Sequence, residues 1–162
     1  MGDPGRVGAD AGGEDLIDMT TAWAVIAAAT FCWLGMVLAI SFLEAPLKFR
    51  APGVTVPIGL GIGRLVFRAL NGAEALLAAT IVTAVLIDSP GTAATTALTA
   101  ALLALAVQAV AVRPVLTRRS DAVLAGLDAP RSHAHYAYIA LEVAKTAALL
   151  TAGILVFTHA IE

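Results

Sequence analysis

Apolar residues are concentrated in four stretches of the chain, and each is about as long as a membrane-spanning helix, which needs about 20 residues. The stretches are rich in Ala and Leu, which are good helix formers. A spanning β-barrel would instead show short segments of alternating polarity. The pattern therefore predicts an all-α fold, a transmembrane four-helix bundle built from two hairpins. The predicted spans are residues 22–43, 69–87, 92–112 and 139–157.

The composition indicates the same class of protein. Hydrophobic residues make up 59% of the 162 residues and charged residues 14%. Soluble domains carry about 25% charged residues, so this chain lacks the charge to cover a water-facing surface. The formal net charge is −2 and no basic stripe stands clear of the spans, so we expect a lipid bilayer around the protein and no nucleic-acid partner. Residues 1–15 form an acidic, flexible tail, mobile at least over 1–12, ahead of a membrane domain at 16–162.

Basic residues are distributed unevenly between the two sides of the predicted bundle. Eight of the ten Lys and Arg residues lie in the two long loops, before the second and fourth spans, whereas the turn at 88–91 has none. Cytoplasmic loops carry such an excess, so we expect these loops inside the cell and both termini outside. The second loop is predicted to hold a short helix from Ser120 to near Gly126. The eight basic residues are Lys48, Arg50, Arg64, Arg68, Arg113, Arg118, Arg119 and Arg131.

Ionisable residues within the spans fall on two helical faces. Such residues cost about 2.5–3.5 kcal/mol at the centre of a span and usually face the bundle interior. They recur with helical spacing on the second and fourth helices, so we expect the two faces to meet as a polar pocket in the cytoplasmic leaflet. Glu44 ends the first helix and Arg113 ends the third at the same level. The faces consist of Arg64, Phe67, Asn71 and Glu74 on the second helix and His135, Tyr138, Glu142 and Lys145 on the fourth.

The pocket residues suit acid–base chemistry. Glu74 and Glu142 could share a proton, as like-charged carboxyls in one buried site do. Together with His135 they are the candidate catalytic groups. Lys145 would hold the second carboxylate ionised. The candidate ligand-binding side chains are Arg64, Asn71, Tyr138, Lys145 and Glu44.

The same residues leave two other interpretations open. His135 with Glu44, Glu74 and Glu142 could bind a metal, as carboxylates and His do in di-iron bundles, but the Glu-x-x-His spacing is missing, so no metal is predicted. The sequence identifies no cofactor. The cluster could also be structural, since Glu142 and Lys145 lie one helical turn apart and polar groups join membrane helices by hydrogen bonds.

Gly59, Gly61 and Gly63 precede the second predicted span. Glycines at a helix start let backbone N–H groups approach a phosphate. No strand precedes them and no Lys-Ser/Thr follows, so we do not expect a nucleotide-binding loop. A flexible entry into the membrane is the simpler interpretation.

A shift of 68 positions superposes the two hairpins and indicates either an ancient duplication or a chance match between Ala-rich segments. Under a duplication, two glutamates would lie at the same depth on the second helix of each hairpin. Repeats in membrane proteins often build a site at their interface. The matched pairs are Pro46 with Pro114, Arg50 with Arg118, Glu74 with Glu142, and Thr83 with Thr151.

Three motifs carry a resemblance to other proteins: FLEAPLKFRAP at 42–52, GRxxFxxxNxxE at 63–74 and HxxYxxxExxK at 135–145. They resemble the end of helix one, helix two and helix four of a group of small four-span bacterial integral membrane proteins of unknown function. The resemblance covers most of the chain beyond the tail. It implies a four-helix bundle in a bacterial cytoplasmic membrane and implies no activity.

Three functions fit these observations. The first is an enzyme or binding protein for a lipophilic molecule with a polar head, of quinone, isoprenoid or pigment type, acting by proton transfer or by redox with a borrowed cofactor. The second is a non-catalytic subunit of a larger membrane complex or a homo-oligomer, because Ala-rich helix faces suit packing against partners. The third is an ion- or proton-coupled transporter that uses the carboxylate pair. Few polar residues fall in the outer halves of the spans, which makes a continuous path hard to draw.

Overall fold

The computed structural model describes the backbone of residues 7–127 and 133–160 and the side chains of residues 21–127 and 133–158. Within these residues the chain is helical except for short connections, and four continuous runs are long and apolar enough to cross a membrane. The prediction of an all-α transmembrane four-helix bundle is confirmed. We name the runs span 1 (Thr21–Arg50), span 2 (Val56–Ile87), span 3 (Thr92–Leu124) and span 4 (His133–Thr158). The α-helices are α1 (Val7–Val37), α2 (Ala45–Leu47), α3 (Val56–Ile87), α4 (Thr92–Val107), α5 (Arg113–Leu124) and α6 (His133–Ala160).

Spans 2 and 3 are joined by the tight turn at 88–91, and we call this end of the bundle the turn end. Gly91 has φ +88°, a conformation that glycine adopts without steric cost. The opposite end, which holds residues 51–55 and the connection after α5, is the loop end. Span 1 begins and span 4 ends at the turn end, as an even number of crossings requires.

The helices at the loop end are longer than the apolar stretches from which they were predicted. Span 2 begins at Val56, where Pro57 suits the first helical turn. The short helix predicted from Ser120 is wrong at its start, because α5 begins at Arg113 and continues span 3 directly. Its end is as expected, since Gly126 has φ +78° and stops the helix. Residues 1–6 of the predicted tail lie outside the described residues, and from Val7 the backbone is helical, so the mobility of residues 1–12 stays a prediction.

Two π-helical segments interrupt the loop-end halves of spans 1 and 3, at Leu38–Glu44 and Gln108–Val112. Each is followed two residues later by a proline, Pro46 or Pro114. Proline has no N–H to donate, and its ring clashes with the carbonyl four residues earlier, which here lies inside the π segment. The wider π turn accommodates that clash without breaking the helix.

Apolar packing is densest in the turn-end halves of the spans. There, one core cluster joins all four spans through side chains that are at most 3% exposed, including Ile26, Ile81, Leu98, Leu149 and Val156. Other large apolar side chains point outward and remain exposed, as expected of a multi-pass protein whose surroundings are lipid.

The four spans do not pack equally against each other. Span 1 packs along spans 2 and 4, and span 3 packs along span 4. Spans 2 and 3 contact each other mainly at the loop end, where α5 meets span 2 and Arg64 pairs with Asp121. We call the line between spans 2 and 3 the seam. It is the least tightly packed side of the bundle.

Candidate functional site

A buried ion pair lies at the centre of the bundle. Glu74 on span 2 and Lys145 on span 4 are both 0% exposed, and Lys145 Nζ donates to Glu74 Oε1 at 2.5 Å. The same carboxylate oxygen accepts a hydrogen bond from the Trp33 indole Nε1 at 3.0 Å. The other oxygen, Glu74 Oε2, lies 3.6 Å from the Arg113 guanidinium. The prediction that spans 2 and 4 bring their charged faces together therefore holds for Glu74 and Lys145.

Lys145 has no donor left for another molecule. An ammonium group has three N–H donors. Those of Lys145 go to Glu74, to Gln108 Oε1 at 2.9 Å and to Glu142 Oε2 at 3.1 Å. Lys145 therefore holds the two carboxylates in place.

Glu142 is the second buried carboxylate, at 2% exposure. Its Oε1 accepts from Ser41 Oγ at 2.6 Å, and its Oε2 accepts from Gln108 Nε2 at 2.5 Å as well as facing Lys145. Gln108 thus bridges the ammonium and the carboxylate from span 3. Every span contributes to this set, which we call the ion cluster: Trp33, Ser41, Glu74, Gln108, Arg113, Glu142 and Lys145.

Polar atoms without a hydrogen-bond partner lie on the loop-end side of the ion cluster. Among the described residues, the buried atoms without a partner include Asn71 Oδ1, Glu74 Oε2 and Arg113 Nη2. The Tyr138 hydroxyl interacts with the Arg113 side chain and with the charges of Glu142 and Glu74, so these groups lie close together. Unsatisfied buried polar atoms are costly, and each one in a native structure calls for a partner.

Three predicted site residues lie away from both the ion cluster and the polar atoms beside it. His135 is exposed, packs its ring against Tyr136, and lies two helical turns, or about 10 Å, from Glu142. Arg64 forms an ion pair with Asp121 at the loop end. Glu44 accepts from Lys48 Nζ at 3.2 Å and keeps 31% of its side chain exposed.

Lys48 and two aromatic rings lie between the loop end and the ion cluster. Lys48 Nζ sits 5.3 Å from the centre of the Phe67 ring, within cation–π range. Phe67 in turn meets Tyr138 edge-to-face, with ring centres 6.0 Å apart. Phe67 and Tyr138 therefore form an aromatic wall beside the buried polar atoms.

The glycines before the predicted second span are not a flexible entry. They lie inside α3, and Gly59 and Gly63 are buried against the end of span 1. A Cβ added at Gly59 would come within 2.2 Å of the Phe49 ring, and one at Gly63 within 3.0 Å of Lys48 Nζ. Small residues at this spacing let two membrane helices approach closely.

Trp33, Ser41 and Gln108 belong to the ion cluster, but the charge pattern gave no reason to select them. Gln108 is the chain's single glutamine and stands alone in the apolar run of span 3. Trp33 lies well inside span 1, away from the interfacial belt in which Trp is usually found. An isolated polar group in a span was the signal that could have identified both.

The ion cluster lies near the middle of the bundle. At a rise of about 1.5 Å per residue, Glu74 is about 20 Å from the turn end of span 2 and about 27 Å from its loop end, so it falls well within a hydrocarbon core about 30 Å thick. Two open surface grooves, lined by residues such as Thr21 and Ile87 or Thr92 and Leu103, lie at the turn end instead. Among the described residues, no group of three or more His, Cys, Asp or Glu side chains is placed to hold a metal ion.

The fold and the site together define a multi-pass helical membrane protein with a charge-balanced polar cluster inside its bundle. Comparison with protein-family models, with curated proteins and with solved structures finds no match for this chain. Function must therefore be argued from the site itself.

Proposed function

We propose that this protein binds a lipophilic molecule and holds its polar head on the loop-end side of the ion cluster. The observation that carries the proposal is the set of buried polar atoms without partners on Asn71, Glu74 and Arg113. They include both hydrogen-bond acceptors and a donor, and they come from the two spans that border the seam. A polar head group placed among them would satisfy atoms that otherwise destabilise the fold.

The molecule would enter from the lipid through the seam between spans 2 and 3. Its tail would stay among the acyl chains, and only its head would pass between the helices. The seam lacks the continuous packing seen on the other sides of the bundle, and its main tie is the partly exposed pair of Arg64 and Asp121. Opening the seam therefore costs less than parting spans 1 and 4.

Proton transfer is the chemistry that this arrangement favours. Glu74 Oε2 is the carboxylate oxygen that a bound head group would meet, so Glu74 is the candidate catalytic residue. Glu142 accepts from Ser41, Gln108 and Lys145, which makes it a positioning residue instead. His135 lies too far along span 4 to reach the same head group, so its catalytic role would need a second site.

Transport is the weaker proposal. A path across the membrane would have to continue from the ion cluster through the turn-end halves of the spans. There, the described side chains form the apolar core cluster around Ile26, Ile81 and Leu149. The turn-end half of the bundle therefore offers no polar path, which favours a binding site over transport. A role as a subunit of a larger complex, or as a homo-oligomer, is compatible with head-group binding. The molecular mass of the particle purified from native membranes tests it.

We further propose that the protein resides in a bacterial cytoplasmic membrane with its loop end inside and both termini outside. The bacterial setting rests on the motif resemblance, and the orientation rests on the basic residues of the loop end. Single cysteines at Ser120 and Ser89, in a Cys32→Ser background, should react with a membrane-impermeant thiol reagent from opposite sides. Labelling of position 120 in intact cells would contradict this orientation.

The central proposal is tested by extracting and identifying the molecules that copurify with the protein from its native membrane. We expect one lipophilic species near one equivalent per chain, and its loss in Glu74→Gln. Asp88→Asn is the matched control, because it changes a carboxylate at the turn end, the end of span 2 away from the proposed head group. A protein that remains folded and yields only bulk phospholipid would contradict the proposal, as would unchanged retention in Glu74→Gln and Glu142→Gln.

A further inference from the structure

The charges of the ion cluster decide what kind of head group it accepts. Glu74 and Glu142 face Lys145 and Arg113, so two carboxylates are balanced by two cations. An added anion would meet a site whose cations are already matched. Uncompensated charge inside a membrane protein is costly. The balance therefore favours a neutral head.

Two of the partnerless atoms face each other, and they are an acceptor and a donor. Glu74 Oε2 accepts only, Arg113 Nη2 donates only, and they lie 3.6 Å apart. A hydroxyl group placed beside both would donate its proton to Glu74 and accept from Arg113. A carbonyl or ether oxygen would serve Arg113 alone and leave Glu74 Oε2 without a donor. A hydroxyl therefore matches the pair better than either.

The side chains around the polar atoms indicate that the bound head group carries a flat ring. Phe67 and Tyr138 stand edge-to-face, with Phe67 one helical turn from Asn71 toward the loop end, and the Lys48 ammonium lies over the Phe67 ring. Aromatic walls pack well against other rings. The Tyr138 hydroxyl and Asn71 Oδ1 give a second polar contact at the rim of the same wall.

We infer that the bound head is a neutral, ring-borne hydroxyl of the phenol or quinol type, held by Glu74 and Arg113 and packed against Phe67 and Tyr138. This rests on the proposed function and names its ligand class. The hydroxyl donates to Glu74 Oε2 and accepts from Arg113 Nη2, and no covalent step is required. The head lies in the loop-end half of the bundle, and its tail leaves through the seam.

Three probes with the same tail test this inference: 4-decylphenol, 4-decylbenzoate and decylbenzene. Binding is measured by the change in tryptophan fluorescence of the full chain in phosphatidylcholine nanodiscs, because Trp33 contacts Glu74. We expect saturable binding of 4-decylphenol that is at least about tenfold tighter than that of either other probe, since each of them leaves Glu74 Oε2 without a donor. Glu74→Gln should weaken phenol binding about tenfold, and Asp88→Asn at the turn end should leave it unchanged.

The outcomes separate this inference from the proposed function. Preference for 4-decylbenzoate, with binding lost in Glu74→Gln, would overturn the neutral hydroxyl and keep head-group binding at the ion cluster. Equal binding of decylbenzene and 4-decylphenol would overturn both, as would no saturable binding of any probe. Since the probe series is run on the unsubstituted chain, its result stands even where Glu74→Gln fails to fold.

Discussion

Lys145 and Glu74 form a hydrogen-bonded ion pair between spans 4 and 2, and both side chains are fully buried. Moving two charges out of water carries a large desolvation penalty, and the pair stabilises the fold only when their remaining donors and acceptors also have hydrogen-bond partners. The remaining donors of Lys145 have partners, because they face Gln108 and Glu142. On the Glu74 side one oxygen is left facing Arg113, and this difference locates the proposed function on Glu74.

Removing the ammonium should strongly destabilise the bundle. Lys145→Met leaves Glu74 and Glu142 buried close together with one cation gone, and losing one partner of a buried pair costs about 3–5 kcal/mol. Unfolding by SDS in mixed micelles measures the loss. Adding Glu74→Gln should restore part of it, because the double variant buries one uncompensated charge fewer. Arg64→Met is the control: its partner Asp121 is 57% exposed, so the expected loss is about 1 kcal/mol or less. Equal losses in the two single variants would contradict the prediction.

We expect the indole N–H of Trp33 to contribute more to the stability of the bundle than its aromatic ring does. Trp33→Phe keeps an aromatic ring in the core but removes the donor to Glu74 Oε1, and hydrogen bonds to charged groups contribute about 1.5–3 kcal/mol. We expect a loss in that range in the free energy of unfolding. In a Glu74→Gln background the same change should cost measurably less, because the acceptor is then neutral. A loss that is identical in the two backgrounds would show that the bond to Glu74 contributes nothing.

Alternate glycines of span 2 provide a matched pair for testing helix approach. A Cβ at Gly61 meets no atom within 4 Å, whereas one at Gly59 meets the Phe49 ring at 2.2 Å. Gly61→Ala should therefore stabilise the protein by up to about 1 kcal/mol through helix propensity. Gly59→Ala should forfeit that gain, because Phe49 must move and the end of span 1 shifts with it. Thermal unfolding of the two variants in one detergent decides the point, and equal stabilisation would show that spans 1 and 2 are not in close contact at Gly59.

Helical periodicity was enough to identify the two halves of the central ion pair. Glu74 and Lys145 stand out in sequence because a charge inside an apolar run must face protein. His135 lies on the same helical face but near the loop end of span 4, where neighbouring helices no longer surround it. Helical periodicity predicts which face a residue occupies but not how far along the helix its neighbours extend. Arg64 and Glu44 also lie toward the loop end, but each pairs there with a neighbouring side chain, Asp121 or Lys48, outside the ion cluster.

The residues that sequence reasoning missed depend on how spans 1 and 3 are rotated. Gln108 lies in one π segment and Ser41 in the other, and a π turn changes which face a residue presents. A strictly α-helical projection therefore misplaces residues beyond each π segment. The prolines two residues later, Pro46 and Pro114, were visible as a matched pair, but their effect on helix register emerges only from the three-dimensional structure.

Exchanging the two central charges should not restore stability, and this distinguishes the ion cluster from a simple ion pair. Glu74→Lys combined with Lys145→Glu keeps one charge of each sign. The lysine introduced at 74 would face the Trp33 N–H and the Arg113 guanidinium, both of which need an acceptor there. The glutamate introduced at 145 would lie beside Glu142 with no ammonium between them.

We therefore expect the exchanged variant to be at least as unstable as Lys145→Met in SDS unfolding. The control exchange is Arg64→Asp with Asp121→Arg at the loop end. Both side chains there are partly exposed, so the reversed pair should recover most of the about 1 kcal/mol lost on breaking it. Recovery of stability in the central exchange would mean that Trp33 and Arg113 do not fix the sign of the charge at position 74. Recognition of a hydroxyl by Glu74 would then lose its structural basis.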